Sequence, residues 1–182
     1  MRRDYEIETR WIAFPLHPYI PEEGLTLIEL FKGRPIDIDQ VKARLKRVAD
    51  EEGLPLSDRE MTYNSRLAQE LGKWAESQGK GEEFHNAVFR SYFVDGKNIR
   101  QLPVLVELSK SVNLSGEEAQ KVIEKREFKE AVDLDWSRAR EMGVTAVPTF
   151  VMNEKMVVGA QPYEVLEKFM KVNDVKKRTI AS

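Results

Sequence analysis

Within this 182-residue chain, the stretch Gly143-Val144-Thr145-Ala146-Val147-Pro148-Thr149-Phe150-Val151-Met152 limits the fold more than any other. Its β-branched residues favour extended backbone, and Asn153-Glu154 followed by Met156-Val157-Val158 supplies a turn and a returning strand. Pro148 stands at the mouth of the first strand. A proline has no N–H to give to a ladder, so it belongs where backbone pairing stops and the chain is free to face another molecule. Spacing alone predicts a proline-led edge strand folded back as a hairpin.

The chain ahead of that hairpin reads as one strand and a block of helices. Tyr5–Phe14 alternates at its start, with Tyr5, Ile7, Thr9 and Trp11 on one face, then turns apolar throughout. That pattern predicts a strand half exposed at its beginning and buried at its end. Pro15, Pro18 and Pro21 make a stiff connection in which His17 is a loop residue. A short helical turn is expected over Leu25–Phe31, closed by Gly33. Asp37 or Asp39 then caps a helix whose Val41, Leu45, Val48 and Ala49 share one face, ending at Gly53.

Asn64 is placed to cap the next helix, with Leu67, Leu71, Trp74 and Ala75 at helical spacing. Glu82–Val94 carries Phe84, Val88, Phe89 and Tyr92 in the same way, and Gly96 stops it. Pro103 suits a first helical turn, and Ser115 with Glu118 forms a capping-box pattern for the helix holding Val122 and Ile123. A helix over Lys129–Met142 brings Val132, Trp136 and Ala139 to one face, and Pro162 leads a closing helix. Trp74 and Trp136 read as packing residues. The result is an α-rich α/β domain.

Composition removes several functions. A net charge of -2 with both signs interspersed gives no electrostatic reason to expect nucleic acid or an anionic membrane as partner. No run approaches the roughly 20 apolar residues of a membrane helix, and the N-terminus lacks a secretory apolar core, so a cytoplasmic location is expected. With no cysteine, a disulfide framework and a thiolate-ligated zinc site are both excluded. His17 and His85 have no third ligand near them in sequence, and no metal is expected.

Val144-Thr145-Ala146-Val147-Pro148-Thr149-Phe150 resembles the Gly-(Ile/Val)-x-(Gly/Ala)-Val-Pro-(Thr/His/Ser)-Phe segment of thioredoxin-fold proteins. Phe14-Pro15-Leu16-His17-Pro18, Tyr63-Asn64-Ser65-Arg66-Leu67-Ala68, Phe89-Arg90-Ser91-Tyr92-Phe93 and Gly96-Lys97-Asn98-Ile99 stand in the order found in the DsbA-like family. That family holds FrnE-type dithiol–disulfide oxidoreductases, 2-hydroxychromene-2-carboxylate isomerases and kappa-class glutathione transferases. The resemblance runs from about Ile7 to Met170, and its motif set is most like the FrnE branch. It implies an α/β, thioredoxin-like fold with a large all-helical insertion between the second and third strands. Residues 1–182 would then be one domain, with 1–20 and 143–172 as the thioredoxin part, 25–142 as the mainly helical insertion and 173–182 as a tail.

The resemblance also implies site residues. In the family the proline is cis, and the residue before it, here Val147, offers backbone N–H and C=O to an extended peptide or to glutathione, gripped by strand-like pairing. Pro148 and Thr149 follow it into the strand. Asn64 and Ser65 match an Asn-(Thr/Ser) pair at the start of a helix that looks onto the cleft, while a plain capping role for Asn64 stays equally open. His17 would line that cleft.

One departure governs the chemistry. Family members open with a strand, a Cys-x-x-Cys motif or a serine in its place, and a helix, all before the strand that matches Tyr5–Phe14. Here only Met1–Asp4 precede it, so the N-terminal βα unit and its thiolate nucleophile have no counterpart. The leading expectation is a thiol–disulfide oxidoreductase, acting in dithiol exchange or isomerisation, whose thiol-bearing unit lies upstream of an internal start. The alternatives are a glutathione-dependent isomerase or transferase relative, and a non-catalytic peptide-binding module. Partners would be an extended peptide or a small thiol. The residues require no cofactor, and glutathione is compatible. Without its first strand the fold would expose two apolar strand edges, and self-association through them is expected.

Overall fold

Two short ladders and eight helices make up the regular structure of residues 1–178, the part of the chain that the computed structural model describes. The chain divides into two compact units, His17–Asp133 on one side and Met1–Leu16 with Leu134–Ser182 on the other.

In the His17–Asp133 unit, β1 (Leu25–Thr26) pairs antiparallel with β2 (Met61–Thr62), Leu25 opposite Thr62. The helical turn expected over Leu25–Phe31 is shorter, α1 (Leu27–Leu30), because Leu25 and Thr26 belong to the ladder. Thr26 and Glu29 cap it reciprocally: the Thr26 hydroxyl accepts from Glu29 N–H, and the Glu29 carboxylate accepts from Thr26 N–H. Gly24 sits at φ +88°, where a Cβ would lie 2.5 Å from the Tyr63 ring and 2.7 Å from the Thr62 carbonyl, so only glycine lets this ladder close.

Helix α2 (Ile38–Glu51) starts where Asp37 accepts from Gln40 N–H. Its expected core face is a correction: no residue of α2 is buried, and Val41, Leu45 and Val48 are 46%, 55% and 38% exposed. An amphipathic spacing specifies a stripe, not what covers it. No other described element packs extensively along α2.

The core of this unit lies elsewhere. Helices α3 (Arg66–Ser77), α4 (Gly81–Phe93), α5 (Leu102–Ser111) and α6 (Gly116–Glu124) bury Leu67, Leu71, Trp74, Phe84, Leu105, Val122 and Ile123 together. The four spans follow their apolar spacing. Pro103 sits in the first turn of α5, and Ser115 caps α6 by accepting from Glu118 N–H. Gly79, at φ +70°, makes the left-handed turn between α3 and α4.

A buried carboxylate locks this bundle. Glu70 on α3 is 1% exposed and takes both oxygens to Arg126, at 2.6 and 2.7 Å, with Arg66 bonded one turn away on the same helix. Burial opposes its ionisation, but hydrogen bonds from Arg126 and Arg66 outweigh that and hold the carboxyl below its ordinary range. Arg66 also reaches the Lys129 carbonyl at 2.8 Å and Asp133 at 2.7 Å. Helix α7 (Lys129–Glu141) carries Val132 and Ala139 as buried residues and a half-buried Trp136.

In the unit built from Met1–Leu16 and the residues from Leu134 on, β3 (Thr149–Met152) and β4 (Lys155–Val158) form the expected hairpin. Met152 stands opposite Lys155, and the two turn residues Asn153 and Glu154 have φ of 46° and 66°, the pair of left-handed residues that a tight hairpin turn needs. Helix α8 (Tyr163–Lys171) follows Pro162. Its Phe169 and Met170 pack with Tyr5, and Met152, Val157, Ile7 and Val175 surround them.

The strand expected over Tyr5–Phe14 does not form. Tyr5 alone bridges to Lys177, with Glu6 N–H donating to the Lys176 carbonyl and Arg178 N–H to the Asp4 carbonyl. A strand is made by its ladder neighbour as much as by its own residues. Beyond Glu6 no described segment supplies one, and Ala13 N–H donates instead to the Asp135 carboxylate at 2.9 Å. Trp11, which the alternation puts on one face with Tyr5, is 49% exposed, whereas Tyr5 is buried. Lys176–Arg178, read from sequence as part of a tail, is thus tied to the N-terminal segment, while 179–182 lie outside the described residues.

Candidate functional site

The approach to β3 is fixed locally. Gly143, at φ +70°, ends α7, and Val144 N–H donates back to the Ala139 carbonyl at 2.9 Å. The Thr149 hydroxyl donates to the Ala146 carbonyl at 2.7 Å, which holds the chain across the proline. The Val147–Pro148 peptide bond is cis. Gly159 N–H donates to the Pro148 carbonyl at 2.7 Å, so Pro148 faces β4 and its missing N–H leaves no gap on the other side.

In an antiparallel pair, successive residues turn their N–H and C=O alternately toward and away from the partner strand. With Pro148 facing β4, Phe150 and Met152 face it too, while Val147, Thr149 and Val151 turn outward. Among the described residues nothing bonds to the backbone N–H or C=O of these three. Val147 is 44% exposed. It offers one peptide-like donor and acceptor side by side; no thiol or titrating group lies on the strand, and its one hydroxyl, on Thr149, is committed to the Ala146 carbonyl.

The two faces of the hairpin differ. Met152 and Val157 pack toward α8, whereas Val151, Met156 and Val158, from the opposite face, are exposed.

Of the residues singled out in the sequence, Val147, Pro148 and Thr149 thus stand together at the entrance of β3. Asn64 and Ser65 lie in the His17–Asp133 unit. The Asn64 amide nitrogen donates to the Pro18 and Ile20 carbonyls at 3.0 Å each, and its oxygen accepts from Arg66 N–H at 2.9 Å. The N-cap of α3 is Ser65, not Asn64 as expected; the Asn64 carboxamide, one residue earlier, takes the first N–H of the helix and clamps the proline-rich loop at once. The Ser65 hydroxyl accepts from Gln69 at 3.0 Å. His17 is half-buried, edge-on to Phe31 at 6.3 Å, and burial with the nearby Arg34 pushes its pKa below the ordinary imidazole value.

Gly159 is the residue that sequence reasoning missed. Its signal was present, because counting outward from the two-residue turn at Asn153-Glu154 places it across from Pro148.

A proline-entered hairpin closed by a helix, with a helical block placed before it in the chain, is the thioredoxin class of fold with an all-helical insertion. Residues 1–171 match the DSBA-like thioredoxin domain, and the chain belongs to that family. Uncharacterized protein YwbO of Bacillus subtilis (strain 168) is 25% identical over 175 residues, covering 94% of this chain and 85% of that protein. The crystal structure of the probable DsbA oxidoreductase SCO1869 from Streptomyces coelicolor superposes with a TM-score of 0.80 at 25% identity, covering 94% of this chain and 76% of that one. A 2-hydroxychromene-2-carboxylate isomerase shares the fold with a TM-score of 0.72 at 21% identity, over 90% of this chain and 79% of its own. Among the described residues, no helix is long and apolar enough to cross a membrane.

Proposed function

We propose that this chain is the substrate-holding body of a FrnE-type thiol–disulfide oxidoreductase. The observation that carries this reading is the open backbone of Val147 beside Pro148. Its N–H and C=O have no partner among the described residues, and they point away from β4, as strand-like pairing with an extended polypeptide requires. Such pairing reads backbone and not side chains, which suits a catalyst that accepts many unfolded proteins. The 182 residues hold no cysteine, so the sulfur chemistry belongs to a thiol outside them.

A second reading is favoured by that same absence of thiol: a peptide-binding module that holds extended chains without turnover. Glutathione, itself peptide-like, is an alternative occupant of the Val147 position.

Calorimetric titration with an extended cysteine-containing peptide tests the platform. Binding is expected, and Val147→Pro, which removes the open N–H without breaking any internal hydrogen bond, abolishes it. Equal affinity in that variant rejects the platform. A heat signal from glutathione but none from peptide moves the reading to the glutathione-dependent relatives. Insulin reduction by the chain alone is expected to be nil.

A further inference from the structure

The loop between α2 and β2 folds back on the C-terminal end of α4. Ser57 fixes it there, since both its backbone N–H and its hydroxyl donate to the Phe93 carbonyl, at 2.9 and 3.0 Å. The helix stops at this point. Asp95 N–H returns to the Arg90 carbonyl at 3.1 Å, and Gly96 takes the left-handed conformation at φ +65°, where a Cβ would meet nothing within 4 Å. Loop and helix end enclose a cleft of about 220 Å³, whose lining includes Ser57, Arg59, Glu60, Tyr63, Asp95 and Gly96. Sites for drug-sized ligands run to about 300–1,000 Å³, so this one suits a molecule the size of an amino acid.

Arg59 is held in place before any ligand arrives. Its Nη1 donates to the Met61 carbonyl and to the Tyr92 hydroxyl at 2.9 Å each, and its guanidinium lies over the Tyr92 ring at 4.5 Å and the Phe93 ring at 5.3 Å. The Tyr92 hydroxyl is bonded in turn to the buried Thr62 at 2.8 Å. Both hydrogens of Nη1 are thereby used. No described residue accepts from Nε or Nη2, and these two nitrogens form an edge with which an arginine grips a carboxylate through two parallel bonds. A guanidinium fixed in advance loses little freedom on binding.

Charge selects the ligand. Asp58 is committed to Lys42, whereas Glu60 and Asp95 are exposed and no described residue pairs with either carboxylate. The cleft thus presents one open guanidinium edge and two open carboxylates. A simple anion meets Arg59 but is repelled by Glu60 and Asp95, and a simple cation leaves the Arg59 edge unused. A molecule bearing both charges satisfies the set.

We propose that this cleft binds a small zwitterion of the amino-acid type, its carboxylate on Nε and Nη2 of Arg59 and its ammonium at Glu60 and Asp95. Every residue of the site belongs to the His17–Asp133 unit, so the proposal goes beyond the platform at Val147 and does not rest on it. With two carboxylates against one guanidinium, a ligand carrying a second ammonium fits best, and lysine is therefore the probe.

Titration of the full 182-residue chain with lysine, followed by backbone amide NMR, tests this. Saturable shifts are expected at Glu60, Tyr63, Asp95 and Gly96. Cadaverine, which lacks the carboxylate, and glutarate, which lacks the ammonium, are expected to bind at least about tenfold more weakly. Arg59→Lys keeps the charge but loses the bidentate edge, and is expected to weaken lysine binding about tenfold. Because Arg59 also ties Met61 to Tyr92, the surface variant Asp95→Asn gives a second reading: an unchanged melting temperature with lysine binding weakened about threefold. Val147→Pro is expected to bind lysine as the parent does. Cadaverine or glutarate binding as tightly as lysine overturns the proposal, as does equal lysine affinity in Arg59→Lys, or millimolar lysine that shifts none of the four amides. Loss of lysine binding in Val147→Pro overturns it too, by placing the amino acid on the platform.

Discussion

The backbone N–H of Gly159 donates to the carbonyl of Pro148 at 2.7 Å, and this one bond decides which side of β3 is occupied. It assigns Pro148, Phe150 and Met152 to β4 and leaves Val147, Thr149 and Val151 facing outward.

Gly159 holds that position at φ +89°, in the left-handed region, with a Cβ site 3.4 Å from the Gln161 amide nitrogen. Gly159→Ala is expected to cost about 1–2 kcal/mol through backbone strain. Amide exchange at Phe150 should speed up in the variant, because the pairing beside it loosens. A melting temperature and a Phe150 exchange rate both equal to those of the parent would contradict the assignment.

Glu167 binds the N-terminal and C-terminal segments of its unit to α8. It accepts from Lys171 at 2.8 Å, Lys177 at 3.0 Å and Tyr5 at 3.1 Å, and these bonds lower its pKa to about 2. A carboxylate depressed in the folded state contributes stability that is complete above its unfolded value, near 4.3, and is lost as pH falls toward the folded value. Thermal melts from pH 6 to pH 2 are therefore expected to show a decline that begins near pH 4.5 and is shallower in Glu167→Gln. Equal declines in both proteins would remove Glu167 from this role.

The buried Glu70 faces two guanidinium groups, and removing it leaves them facing each other near the core. Glu70→Ala is expected to lose about 3 kcal/mol in denaturant unfolding, as for a buried pair broken from one side. A loss under about 1 kcal/mol would mean that Arg66 and Arg126 rehydrate freely.

Leu45 and Leu71 look alike in sequence, each in an amphipathic stripe, and the structure separates them. Leu71 is 0% exposed and Leu45 is 55% exposed. Leu71→Ala should cost about 2–5 kcal/mol by leaving a cavity, and Leu45→Ala less than about 0.5 kcal/mol. Similar costs in the two variants would show α2 packed in solution.

That pair of leucines also shows how far the sequence can be read. Periodicity found α2 and α3 equally well, because spacing is a property of the helix itself. Coverage is a property of the neighbours, which the spacing does not name. The hairpin was legible down to its turn, since Asn153-Glu154 between two apolar runs has one short-range solution. Tyr5–Phe14 had a strand's composition, but among the described residues no ladder extends past Glu6, and a partner is invisible in a single segment. The Glu70–Arg126 lock joins residues far apart in the chain, and its signal is no more than a charged residue at a buried helix position. At the candidate site, Val147, Pro148 and Thr149 were marked by the proline. Asn64 was marked as well, and its three hydrogen bonds show a clamp on the loop from Pro18 to Ile20.

The most direct test of the central claim follows the Val147 backbone amide by NMR while an extended cysteine-containing peptide is titrated in. The Val147 N–H resonance is expected to shift and its exchange to slow, and both effects are expected to weaken when an ester replaces the peptide amide that donates to the Val147 carbonyl. Binding that leaves the Val147 amide unmoved, or no binding at millimolar peptide, would contradict it.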